Sequence, residues 1–166
     1  SVSARILTGA AALLLAGCVA KTTVDQQTAG WSINRIYSEA RDESQSGGYD
    51  RAVELYNVLE GRAAGTTLAQ QAQLEKAYAQ FQNTDTEEAK ATLDRFIRLN
   101  PGSPGLDYAY YLKGVVSFSE NAGWLSALTK QDLIERDQKA AKESFAAFKE
   151  VVTRFPESRY ASDSRH

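Results

Sequence analysis

From Ser32 onward, apolar side chains recur three and four positions apart, the spacing of one face of an α-helix. Ile33, Ile36, Tyr37 and Ala40 predict a first helix that stops at Gly47-Gly48, a strong breaker pair. Tyr49, Ala52, Val53, Tyr56 and Leu59 predict a second helix, ending near Gly61. The third runs from Thr66 or Thr67, a suitable N-cap, through Leu74, Ala77, Tyr78 and Phe81 to a break at Asn83-Thr84. The fourth starts at Asp85, carries Ala89, Leu93, Phe96 and Ile97, and ends at Asn100-Pro101, where the residue before proline leaves helical geometry. The fifth spans about Leu106 to Asn121, and the sixth runs from Asp137 to Arg154 with Ala141, Phe145, Phe148 and Val152. No strand pattern interrupts them, and the expected fold class is all-α.

The helices pair, and the pairs repeat. Ala52-x3-Tyr56-x2-Leu59 returns as Ala89-x3-Leu93-x2-Phe96 and as Ala141-x3-Phe145-x2-Phe148; Ser144 with Phe148 and Pro156 is a second register for the last. A small residue stands twelve positions before Ala52 and before Ala89, at Ala40 and Ala77, where it lets two helices approach closely. The pattern resembles the tetratricopeptide (TPR) repeat, whose unit is about 34 residues. It implies a right-handed superhelix of antiparallel helix pairs, about three units over residues 32–166. The longer step to the third unit implies an insertion near residues 121–136. An ordinary helical bundle would share the periodicity but not the repeated small residues.

Ahead of the domain, Arg5 precedes an apolar run from Ile6 to Ala16 that is too short to span a bilayer, which takes about 20 residues. Leu15-Ala16-Gly17-Cys18 closes it, and Cys18 is the only cysteine. The series resembles the lipobox of bacterial lipoproteins. The resemblance implies a signal peptide over residues 1–17, cleavage before Cys18, and covalent N-acyl and S-diacylglycerol lipid on Cys18. Lipidation also consumes a thiol that would otherwise be unpaired in an oxidising compartment. Val19, in place of the aspartate that retains such proteins at the inner membrane, implies the outer membrane. Residues 18–31 are polar, without periodicity, and are expected to form a lipid-anchored flexible tether ending at Trp31. The first residue is not methionine, so a precursor is expected to begin earlier.

A more specific resemblance rests on Asp94-Arg95-Phe96-Ile97-Arg98-Leu99-Asn100-Pro101, followed by Gly102-Ser103-Pro104 and Leu106-Asp107-Tyr108-Ala109-Tyr110-Tyr111-Leu112-Lys113-Gly114. Glu135-Arg136-Asp137 and Phe155-Pro156-Glu157-Ser158-Arg159-Tyr160 complete it. In this order, behind a lipobox, the chain resembles the BamD family, lipoprotein subunits of the outer-membrane β-barrel assembly machinery. The resemblance implies a non-catalytic periplasmic scaffold that takes part in assembling and inserting β-barrel proteins. The implied partners are a BamA-like barrel subunit, met through its POTRA region, small Bam lipoproteins, and unfolded outer-membrane protein clients. Family members run to about five units, so the chain is expected to be truncated at its C-terminus. The alternative is a TPR lipoprotein of another envelope system, such as a secretin pilotin; a peptidoglycan enzyme on a helical scaffold is more remote.

Composition narrows the chemistry. Net charge is −2, with no basic stripe, which argues against nucleic acid as a partner. The single histidine, His166, is terminal, and no cysteine cluster supports a metal site. No nucleophile elbow, P-loop or zinc-protease motif occurs, so no catalytic residue is assigned. Glu87 and Glu88 open a helix, where they favour the positive end of its dipole.

The repeat register places Asn34, Tyr37 and Arg41 of the first unit, Gln71, Leu74, Tyr78 and Phe81 of the second, and Tyr108, Tyr111 and Phe118 of the third on one face. Tyrosine supplies large contact area with a polar tip. Such a groove suits an extended peptide ending in an aromatic residue and a carboxylate; the competing reading puts most of these rings in the core. Trp124, in the insertion, is the candidate anchor for a partner.

Overall fold

The computed structural model describes residues 23–122 and 132–165, and of 120–122 and 132–137 the backbone alone. Helices α1 (Val24–Gln27), α2 (Ile33–Ser46), α3 (Tyr49–Arg62), α4 (Thr67–Gln82), α5 (Thr86–Leu99), α6 (Leu106–Ala122), α7 (Asp132–Arg154) and α8 (Arg159–Asp163) follow in order, with no strand among the described residues. Local chemistry sets their ends. The Ser32 and Thr66 hydroxyls accept from the backbone N–H groups of Arg35 and Ala69, satisfying donors that a helix start leaves free. Gly47 closes α2 at φ 87°, where a side chain would be strained. Thr84, at φ 66°, makes the turn from α4 to α5.

From α2 to α7, each helix packs mainly on the helices before and after it, giving the layered TPR-like architecture. Two apolar clusters form the core. Ile36, Ala40, Ala52, Leu55, Tyr56 and Leu59 centre the first. Leu74, Ala77, Ala89, Leu93, Phe96, Leu106, Ala109 and Leu112 centre the second.

The small-residue column extends one unit further than the sequence pattern suggests. Ala40 and Ala77 are followed, at the same step of 37, by Gly114, and all three are buried. A Cβ on Gly114 would stand 2.5–2.9 Å from the Phe148 ring, so α6 and α7 approach only because it is missing. The Ser144 hydroxyl donates to the Gly114 carbonyl at 3.0 Å across the same contact. Gly114→Ala should therefore lower stability by about 1–2 kcal/mol: overpacking costs about 1–3 and the gain in helix propensity returns up to about 1. A chemical-denaturation midpoint unchanged from wild type would show that α7 relaxes freely.

Three sequence expectations are corrected. The third unit uses the second register: Ser144 and Val151 are buried and Phe148 lies against α6, whereas Ala141 is exposed and Phe145 is 69% exposed. Helix α7 begins at Asp132, not Asp137, so the second part of the 121–136 insertion is helical. The 18–31 tether is structured from Thr23 on. Thr23 and Gln26 form a reciprocal capping box around α1, and Thr28 is fully buried. Arg62, at the end of α3, donates to the Thr28 carbonyl at 2.7 Å, the Thr28 hydroxyl at 3.2 Å, and the Asp25 carbonyl and carboxylate at 3.2 and 3.0 Å.

Candidate functional site on the first-helix face

Helices α2, α4 and α6 are the first members of their pairs. At the centre lies a residue that the sequence reading passed over. Glu75 receives hydrogen bonds from the Tyr37 hydroxyl (2.7 Å), the Tyr56 hydroxyl (2.7 Å) and the Gln71 amide (3.1 Å). The same amide donates to the Tyr37 oxygen at 2.6 Å. One carboxylate thus ties α2, α3 and α4 together. Burial, reinforced by the bond to Glu75, pushes the Tyr37 hydroxyl up to about 12 and that of Tyr56 further still. Both therefore stay protonated as donors throughout the physiological range.

A cleft of about 190 Å³ opens beside this network, lined by Arg41, Ser44, Gln45, Tyr56, Glu75 and Tyr78. The Arg41 guanidinium lies 5.8 Å from the centre of the Tyr37 ring, and its charge opposes the upward shift of both tyrosines. Tyr78 is 42% exposed and free to meet a ligand. The cleft thus presents one cation, one hydrogen-bonded carboxylate and one open aromatic face.

The face continues into the third unit. Burial raises the Tyr108 hydroxyl to about 12, with smaller contributions from neighbouring tyrosines and Glu75. Tyr108 and Tyr111 lie 5.3 and 4.9 Å from Tyr160 of α8, ring centre to ring centre, and Tyr111 also meets Phe148 at 6.1 Å. Arg159 covers Tyr160 at 4.8 Å.

The fold therefore brings Arg41 and Tyr78 into one cleft, puts Tyr37 and Gln71 in the Glu75 network beside it, and sets Tyr108 and Tyr111 beside a second aromatic group. Asn34 is exposed and stands outside the network. Leu74 belongs to the core, Phe81 packs against it, and Phe118 is 60% exposed. Cys18 and Trp124 lie outside the described residues. Glu75 could have been found from its spacing, four after Gln71 and three before Tyr78 on one helical face. Among the described residues, no group of three His, Cys, Asp or Glu could hold a metal, and no helix is long and apolar enough to cross a membrane.

A stack of antiparallel helix pairs with an aromatic face defines a helical-repeat binding scaffold. A family model described as outer membrane lipoprotein (YfiO) matches residues 31–166, and the chain belongs to that family. A relative from Neisseria meningitidis serogroup B is 45% identical over 96% of the chain. Relatives from Vibrio cholerae serotype O1 and Caulobacter vibrioides are 33% and 30% identical over 80% and 91% of it. All three carry the name outer membrane protein assembly factor BamD. The chain spans 61%, 55% and 47% of their respective lengths. The match favours this outer membrane lipoprotein family over a secretin pilotin.

Proposed function

We propose that the chain is a non-catalytic scaffold, lipid-anchored through Cys18 to the periplasmic face of the outer membrane, that works within the β-barrel assembly complex. Its partners on this reading are a BamA-like barrel subunit met through the POTRA region, small Bam lipoproteins and unfolded outer-membrane proteins. Family membership and the relatives' shared name support it. The observation that carries the local part is the cleft between Arg41, Glu75 and Tyr78. An extended client segment would lay an aromatic side chain on Tyr78 and set its terminal carboxylate on the Arg41 guanidinium. Glu75 repels that carboxylate from the other side, so the segment enters in one direction.

Fluorescence anisotropy with a labelled peptide ending in phenylalanine tests this. Tyr78→Ala should weaken binding by about 1–2 kcal/mol, roughly 5- to 30-fold, with little change in melting temperature because the ring is already half in solvent. Amidating the peptide C-terminus should weaken binding to wild type but not to Arg41→Ala. Equal affinities for the acid and amide peptides would remove Arg41 from the site.

A further inference from the structure

We propose that the edge of the stack formed by α1 and the first turn of α2 faces a phospholipid bilayer, held there by the Arg62 clamp. The inference rests on lipidation at Cys18. A tether that stayed flexible from Cys18 to Trp31 would comprise thirteen steps and reach about 45 Å. Arg62 removes most of that length. By binding Thr28 and Asp25 it fixes the chain from Thr23, leaving five steps and a reach of at most about 18 Å. The first helix pair therefore cannot drift more than a fraction of a domain diameter from the membrane surface.

The side chains at that edge suit a headgroup layer. Ile33, at the first position of α2, is 38% exposed. Arg35 is exposed and lies with its guanidinium 4.1 Å from the centre of the half-buried Trp31 ring. An aromatic ring, an aliphatic side chain and a cation together match the boundary between phosphates and acyl chains. Asp25, the acid that could repel anionic lipid, is paired to Arg62 at 3.0 Å.

The test uses the mature, lipidated full-length chain in vesicles of phosphatidylethanolamine and phosphatidylglycerol carrying a headgroup-linked energy acceptor. A short-range donor dye is placed at Ser38→Cys, the Cys18 sulfur being consumed by lipid. A second chain carries thirty Gly/Ser residues inserted between Lys21 and Thr22, upstream of the clamp. Energy transfer should fall at least twofold in the insertion chain and fall in the same direction in Arg62→Ala. Equal transfer in wild type and the insertion chain, with lipid confirmed by mass, overturns this inference alone. An N-terminal mass showing an unmodified thiol overturns the anchor reading and this inference with it.

Discussion

Glu60→Ala is expected to lower stability by about 3–5 kcal/mol, measured by chemical denaturation at neutral pH. Lys76 is the reason. Its side chain is only 6% exposed, on α4, and its ammonium meets the Glu60 carboxylate at 2.5 Å and the Asn57 carbonyl at 3.0 Å. The second Glu60 oxygen meets Arg95 at 2.7 Å, so one acid joins α3, α4 and α5. Removing it leaves a buried ammonium with one neutral acceptor and a guanidinium nearby. Burial lowers the Lys76 pKa from the usual 10.5, while the bond and charge of Glu60 oppose that shift. A lysine with a lowered folded pKa costs stability while protonated, and the cost fades as pH rises through the folded value towards 10.5. Without Glu60 the folded pKa drops further. The defect should therefore be largest near pH 7 and shrink on raising the pH towards 10. A gap independent of pH would mean that Lys76 is not the source.

Tyr56→Ala should cost a similar amount, about 3–5 kcal/mol, for a different reason. Tyr56 is among the largest fully buried side chains, so its loss leaves a cavity at the centre of the first cluster. It also removes one of the three donors to Glu75. Tyr56→Phe separates the two effects. It keeps the ring and should cost about 1.5–3 kcal/mol, the value of a hydrogen bond to a charged group. The tyrosine hydroxyls titrate higher in the folded state than the usual 10, so their contribution is complete below pH 10 and is lost as pH rises towards and beyond 12. Above pH 10 the wild type should lose its advantage over Tyr56→Phe. A Phe variant as stable as wild type at pH 7 would make the hydroxyl–carboxylate bond energetically idle.

The helix boundaries were legible because they are local. Gly47, Thr66 and the Asn100-Pro101 pair punctuate the backbone wherever the rest of the chain goes, and the helix ends fall beside them. The candidate rows come from a related regularity: a step of 37 carries Asn34 to Gln71 to Tyr108 and Arg41 to Tyr78, although Asn34 stands outside the network. What escaped the sequence is non-periodic. The Arg62 clamp joins residues 34 and 37 positions apart through side-chain and carbonyl groups that leave no hydrophobic signature. Glu75 was passed over because one of its partners, Tyr56, comes from the second helix of a pair, outside the first-helix register. The start of α7 was missed because spacing carried back from Ala141 meets the polar Asp137 before it reaches Leu133. The third register failed because Phe145 is a stronger hydrophobic signal than Ser144, yet the serine goes inside, where Gly114 offers a carbonyl.

The neighbour-to-neighbour packing of α2 to α7 has a mechanical consequence. Each helix leans chiefly on the one before and the one after, and among the described residues no broad contact ties the first pair to the last. Such a stack behaves as a leaf spring. A small change of crossing angle at every joint adds up along the row, and the aromatic face opens or narrows without any single interface breaking. Glu75 bolts α2, α3 and α4 together, and Glu60 bolts α3, α4 and α5. Bending is therefore stiffest across the second pair and softest where α5 meets α6, the least extensive of the joints.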